Sequence, residues 1–314
     1  MAFFLLLLVL GILFFLIIPL ICFHIAFYVP RPKNGIRQTT PLPQGEVYEP
    51  YRELLEGWTQ EVKTMPHEEF RITSFDGLNL YANYYEYAPG APIELMFHGY
   101  RGSAQRDLSG GVKRCFALGR SAFIVDQRGS GRSDGTVISF GINEHRDCLR
   151  WVDFMLEHFG PDVKIILTGI SMGASTVLIA AGQPLPPNVI GVLADCGFSS
   201  ARSIIKNTIR GMNLPADLLY PFVRLGARLY GHFDLEETSS VEAVKSCQVP
   251  AIFFHGEADD FVPCSMSREN YEACVSRKQL VLSPGAGHGL SFPADQEVYL
   301  KALGDFFGPE ASAQ

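Results

Sequence analysis

The sequence lacks any block of lysines and arginines: its 314 residues carry 26 of them against 33 acidic residues, a formal net charge of −7. A nucleic-acid binder needs a basic stripe to neutralise phosphates, so that class is excluded. Cysteine patterning is also missing. Cys22, Cys115, Cys148, Cys196, Cys247, Cys264 and Cys274 form no C-x-x-C pair and no zinc-type spacing. An odd, scattered set in a long chain reads as free thiols in a reducing compartment, serving as small apolar residues. Internal repeats and low-complexity tracts are absent. Charged residues make up only 19% and hydrophobic ones 47%, which excludes a disordered chain. Beyond the N-terminus no stretch is long enough to span a bilayer, so a polytopic transporter is excluded.

What is present begins at the N-terminus. Residues 2–23 (AFFLLLLVLGILFFLIIPLICF) carry no charge. At 1.5 Å per residue they reach about 33 Å, enough to cross the hydrocarbon core. No basic segment precedes them and no A-x-A site follows, so the reading is an uncleaved anchor over 1–29 rather than a signal peptide. Arg31, Lys33 and Arg37 follow at once. The positive-inside rule then predicts a single-pass protein of the cell membrane with its C-terminal domain in the cytoplasm. A Pro- and Gly-containing linker and a short amphipathic helix (50–64) fill 30–67.

From residue 68 to 308 the pattern predicts one α/β domain, followed by a disordered tail over 309–314. FRITSF and LNLYANYYEYA, split by Asp76-Gly77, read as a hairpin. Apolar strands then alternate with helices: strands at 93–97, 121–126, 163–169, 189–195, 250–256 and 279–283, helices at 112–119, 142–160, 171–182, 265–276 and 294–308. Continuous apolar strands separated by helices imply a mostly parallel central sheet with helices on both faces and antiparallel strands at one edge. Residues 197–248 interrupt the alternation with two apolar helices (199–212 and 216–231), read as a helical cap insertion.

Gly169-Ile170-Ser171-Met172-Gly173 has the form G-x-S-x-G and falls between a predicted strand and a predicted helix. The glycines let the serine sit at a sharp turn, with Oγ clear of the sheet. A serine nucleophile needs a base. Of eight histidines, His288 in Pro-Gly-Ala-Gly-His-Gly has the loop position after the last strand. His98 and His255 end strands in His-Gly pairs. The base needs an orienting carboxylate. Asp259 in HGEADDFVP is favoured over Asp260, and Asp195 is a second position for the acid, more simply read as a cap. The oxyanion donors expected are the N–H groups of Met172 and of Tyr100, in the MFHGYRGS loop. The Tyr100 side chain either adds a hydroxyl donor or lines the pocket; Tyr100, Leu219 and Phe222 are the substrate-binding candidates.

These motifs, together with His98-Gly99 and Asp126-Gln127-Arg128-Gly129-Ser130-Gly131-Arg132-Ser133, resemble the α/β-hydrolase superfamily. The likeness is greatest to membrane-anchored bacterial serine hydrolases of the prolyl-oligopeptidase-like and Bem46-like groups, and it covers about 68–308. The resemblance implies an α/β-hydrolase fold, a hydrolase without metal or cofactor, and a structural role for the D-x-R-G-x-G-x-S segment. The apolar cap and anchor favour a carboxylic ester of an acyl or lipid-like substrate presented near the bilayer. A peptidase or amidase acting on short peptides with the same triad, and a non-catalytic anchored binding protein, are the alternatives. Oligomeric state and acyl-chain length are not legible.

Overall fold

A computed structural model of the chain describes residues 2–32, 37, 41 and 45–308, without the side chains of residues 2 and 5–14. Most of the expected linker and the tail 309–314 lie outside the described residues. The helices are α1 (Ala2–Ala26), α2 (Arg52–Thr64), α3 (Ala104–Ala117), α4 (Glu144–Phe159), α5 (Met172–Ala181), α6 (Ala201–Gly211), α7 (Ala216–Tyr230), α8 (Ser240–Ala243), α9 (Cys264–Ala273), α10 (Ser291–Ala294) and α11 (Gln296–Phe307). The strands are β1 (Glu68–Thr73), β2 (Asn79–Tyr85), β3 (Ile93–Phe97), β4 (Ser121–Asp126), β5 (Ile165–Ile170), β6 (Val189–Asp195), β7 (Ala251–Gly256) and β8 (Lys278–Ser283).

They form one eight-stranded sheet in the order β1-β2-β4-β3-β5-β6-β7-β8. β1 and β2 pair antiparallel, as do β2 and β4, and every later pairing is parallel. The two-residue period of a strand divides the core. Leu95, Phe97, Phe123, Val125 and Leu167 meet Trp151 and Met155 of α4 and Val177 of α5. Their neighbours Met96, Ala122 and Ile124 meet Leu108 and Val112 of α3 and Val62 of α2. Ile166, Ile252 and Phe254 meet Tyr299 and Leu303 of α11 on that second face. Both faces are thus covered, which is why these strands lack a polar alternation.

Helix α3 starts eight residues earlier than expected, with Ser103 accepting from the Arg106 N–H as N-cap. Gly110-Gly111 hid it, since glycine argues against a helix interior. Both glycines admit neighbours: a Cβ on Gly110 would lie 2.8 Å from the Trp58 ring, and one on Gly111 2.8 Å from Met96 Sδ.

The insertion is helical, as α6 and α7, and packs in one apolar cluster with Met172, Phe198, Val262 and Met266 at the C-terminal ends of the strands. The N-terminal helix forms over the expected residues, but it is not separate from the domain. Pro19 packs on Gly226 of α7, and Phe23 and Phe27 are buried in the cap cluster. The chain leaving α1 pairs with the loop after β4: Val29 N–H donates to Thr136 O at 2.8 Å and Ile138 N–H to Phe27 O at 2.9 Å. Among the described residues no helix is long and apolar enough to cross a membrane. All seven cysteines are free, and Cys22 and Cys264 are only partly buried.

Candidate active site

β5 ends at Ile170 and α5 begins at Met172, so Ser171 alone makes the turn, at φ 56° and ψ −120°. A positive φ in a residue with a side chain is strained and persists only where its surroundings impose it. Here the Ser171 N–H donates to the Asp195 carbonyl at 2.8 Å. The flanking glycines are obligatory. A Cβ on Gly169 would lie 2.1 Å from the Gly173 carbonyl oxygen, and one on Gly173 2.0 Å from that of Phe97.

The loops after β7 and β8 bring the other two candidates to this turn. His288 Nε2 lies 2.9 Å from Ser171 Oγ, and its Nδ1 lies 2.7 Å from Asp259 Oδ2. A carboxylate only accepts, so Nδ1 carries the proton and Nε2 is free to accept the serine hydroxyl. Burial alone would raise the Asp259 carboxyl. Hydrogen bonds from His255 and His288 and the Val262 N–H outweigh it and hold the group well below the usual carboxylate range. Asp259 is therefore a fixed anion facing the imidazole. The Phe261 ring sits edge-on to His288 at 5.1 Å, and the Tyr48 hydroxyl donates to the His288 carbonyl at 3.1 Å.

Asp195 points elsewhere: its carboxylate accepts from Ser291 and Tyr299 at 2.9 and 3.0 Å. His255 is the residue the sequence reading missed. Expected only to end a strand, it places its Nε2 3.1 Å from Asp259 Oδ2. The available signal was its place four residues before the acid, at the end of a buried strand.

Gly99 runs against the serine, since a Cβ there would meet Ser171 Cβ at 3.4 Å. Its own N–H is committed to Asp107 Oδ2 at 3.1 Å. Among the described residues the N–H groups of Tyr100 and Met172 have no protein acceptor. The Tyr100 hydroxyl donates to the Ala26 carbonyl at 2.8 Å, so its proton is spent and the side chain does not supply a third donor. The loop is braced from below by His98, whose Nε2 accepts the Gln127 N–H at 3.1 Å while Gln127 Nε2 donates to the His98 carbonyl at 2.6 Å. Arg128 of the same segment pairs with Asp147 and Asp76, a structural role. Leu219 packs in the cap cluster, and Phe222 lies 6.1 Å from Phe15 of α1.

Cys196 Sγ lies 4.0 Å from His288 Nε2, and with Asp259 these groups place three metal-type ligand atoms within 4.8 Å. The chemistry favours a hydrogen-bonded relay over a metal centre. The Asp–His pair shares a proton, Nε2 faces a hydroxyl, and burial raises the Cys196 thiol so that it stays protonated.

A doubly covered, mostly parallel sheet with a serine on a strained strand-to-helix turn has the form of an α/β-hydrolase fold. The family model described as the α/β-hydrolase fold matches residues 95–229 of the chain. An uncharacterised Bacillus subtilis protein, YqkD, is 27% identical over 190 residues, 60% of this chain and 62% of that one; the chain thus spans less than two thirds of that relative's length. The bem46 protein of Schizosaccharomyces pombe is 25% identical over 220 residues, 68% of this chain and 67% of its own. Among solved structures, the Pyrococcus furiosus esterase Pf2001 superimposes with a TM-score of 0.65 at 19% identity, covering 85% of this chain and 96% of that one.

Proposed function

We propose that the protein is a serine hydrolase that cleaves carboxylic esters of an acyl or lipid-like group. The observation that carries this is the continuous Ser171–His288–Asp259 relay, with bonds of 2.9 and 2.7 Å, ending at a carboxylate held as an anion. Ser171 Oγ attacks the ester carbonyl while His288 Nε2 takes its proton. The oxyanion is received by the N–H groups of Met172 and Tyr100. His288 returns the proton to the leaving alcohol, and a water activated by the same nitrogen hydrolyses the acyl-enzyme. Asp259 holds the ring and its tautomer throughout. No cofactor or metal enters these steps.

The acyl group is assigned to the apolar side of the site, where Met172, Phe198 and Tyr100 join the cluster of the cap helices, with Leu219 packed against that same cluster. The esterase name of the Pyrococcus structure supports ester chemistry by likeness of fold. Membrane attachment through α1 is part of the same proposal. It is supported by the uncharged 2–23 run and by the exposure of Phe3, Phe4, Phe15, Ile17, Ile21 and Ile25. Arg31, Lys33 and Arg37 favour a cytoplasmic domain.

The test is hydrolysis of p-nitrophenyl esters from two to sixteen carbons by the full chain, with Ser171→Ala as control. The expected loss in kcat is about 10⁶-fold. Activity of Ser171→Ala within tenfold of wild type would sink the assignment. Turnover of aminoacyl amides instead of esters would move the reading to a peptidase. Protease protection of the domain in inverted vesicles would overturn the orientation.

A further inference from the structure

The C-terminal end of α1 lies against the oxyanion loop, and the contact is polar. The last carbonyls of a helix have no donor within it. Here they are met by the two residues that follow Gly99. The Tyr100 hydroxyl donates to Ala26 O at 2.8 Å, and Arg101 Nη2 donates to Ile25 O at 2.9 Å and approaches Tyr28 O at 3.4 Å. A guanidinium at that place also opposes the negative end of the helix dipole. Arg101 stands at φ 52°, a left-handed conformation that needs outside support in a residue with a side chain. Its bonds to α1 supply that support.

The end of α1 is itself fixed. Phe27 is fully buried between Phe140 and Phe233, at ring distances of 5.8 and 5.3 Å. Phe140 in turn lies 5.0 Å from the Tyr100 ring. The backbone leaving α1 is paired with the loop after β4 on either side of Tyr28. One assembly therefore joins the helix end to the loop that carries the Tyr100 N–H.

We infer that α1 is a positioning element of the active site: through Tyr100 and Arg101 its terminal carbonyls hold the oxyanion loop in the shape that presents the Tyr100 N–H to the reacting carbonyl. This rests on the hydrolase reading above. An oxyanion donor acts only when it is placed before the reaction, so a loop free to relax would weaken catalysis and leave substrate binding nearly intact. The N-terminal helix then ties turnover to its own placement. Displacing it at a membrane surface would switch the site without touching the Ser171–His288–Asp259 relay.

The experiment uses the full chain in neutral phospholipid vesicles with a p-nitrophenyl ester. Tyr100→Phe keeps the ring and removes its bond to Ala26. Arg101→Met keeps the stem and removes its donors, and Arg101→Lys restores a cationic donor. The double variant Tyr100→Phe/Arg101→Met is expected to lose about tenfold or more in kcat, with KM within about twofold, an unchanged melting temperature and faster amide hydrogen exchange over 98–103. Arg101→Lys should recover most of the loss caused by Arg101→Met. A folded double variant with wild-type kcat would overturn the inference, as would unchanged exchange in the loop. If the double variant does not fold, the same readings are taken on the two single variants. Absence of Ser171-dependent turnover in the wild type would instead refute the hydrolase reading, and loop exchange would still judge the contact.

Discussion

His255 and Asp259 form a pair behind the candidate base: His255 Nε2 lies 3.1 Å from the same Asp259 oxygen that His288 Nδ1 meets at 2.7 Å. The other oxygen accepts the N–H groups of Phe261 and Val262 at 3.0 and 2.8 Å. His255 is itself oriented, with Nδ1 2.7 Å from Ser267 Oγ and Nε2 2.9 Å from the Val262 carbonyl. The acid thus has a rigid seat made by its own loop and the end of β7.

Removing that rear imidazole should slow the reaction without abolishing it. A hydrogen bond to a charged group contributes about 1.5–3 kcal/mol, so His255→Ala is expected to lower kcat by roughly ten- to a hundredfold. KM should stay nearly constant, because His255 is fully buried behind the carboxylate. His255→Gln, which retains a donor, should recover part of the loss. Steady-state kinetics on a short-chain p-nitrophenyl ester decide it. A folded His255→Ala variant with wild-type kcat would leave the imidazole a packing role only.

The nucleophile turn makes a stability prediction with a built-in control. Gly173→Ala would drive a Cβ to 2.0 Å from the Phe97 carbonyl, a backbone atom that no rotamer change can move. The cost should exceed about 4 kcal/mol and appear as insoluble protein or a large drop in melting temperature. Gly57, inside α2, has nothing within 4 Å of a Cβ. Gly57→Ala should therefore be neutral or stabilise by up to about 1 kcal/mol.

A buried charge cluster gives the pH dependence. Glu94 is fully buried on β3 and pairs with Arg114 at 2.6 Å and Arg120 at 2.7 Å. Burial would raise its carboxyl, but the two guanidiniums overcome this and lower it from 4.5 to about 2. A carboxyl lowered in the folded state stabilises fully above its unfolded value and loses that contribution as pH falls towards the folded one. Glu94→Gln should cost about 3–5 kcal/mol at pH 7, since two buried cations lose their anion. The gap between wild type and variant should narrow as pH falls from 4.5 towards 2. Urea midpoints of both proteins from pH 7 to pH 3 test this, and a gap independent of pH would contradict it.

Much of this arrangement is legible from residues alone, for reasons that differ by element. β3, β4 and β6 were bounded to the residue because short apolar runs between turn residues have only one solution in a covered parallel sheet. The turn at Ser171 was legible because its two glycines are demanded by backbone contacts. The first half of α3 was not, because Gly110-Gly111 is explained by Trp58 and Met96, partners from other elements. His255 was not, because its one local cue, a place four residues before Asp259, does not show that the fold turns its ring onto the carboxylate. The docking of α1 was hidden for a third reason. A helix apolar on all sides satisfies a protein surface or a bilayer equally well, and only the packing of Pro19, Phe23 and Phe27 tells which part meets the cap.

That docking changes what a truncated protein should do. Phe27 fills a fully buried space between Phe140 and Phe233, and Phe23 lies 6.0 Å from Tyr230 of α7. Emptying such a site costs about 3–5 kcal/mol, so Phe27→Ala should melt well below the wild type. Phe3 is 67% exposed, and Phe3→Ala should leave the melting temperature unchanged in detergent. A chain beginning at residue 30 loses both buried rings and uncovers Phe140, Phe233 and the inner side of α7. It should aggregate or melt lower than Phe27→Ala, and it should lose the carbonyls that hold Tyr100 and Arg101. Differential scanning calorimetry of the three proteins separates the readings. A truncated chain as stable and active as the full one would make α1 a tether alone, whereas loss of both properties in step with Phe27→Ala makes its last two turns part of the folded enzyme.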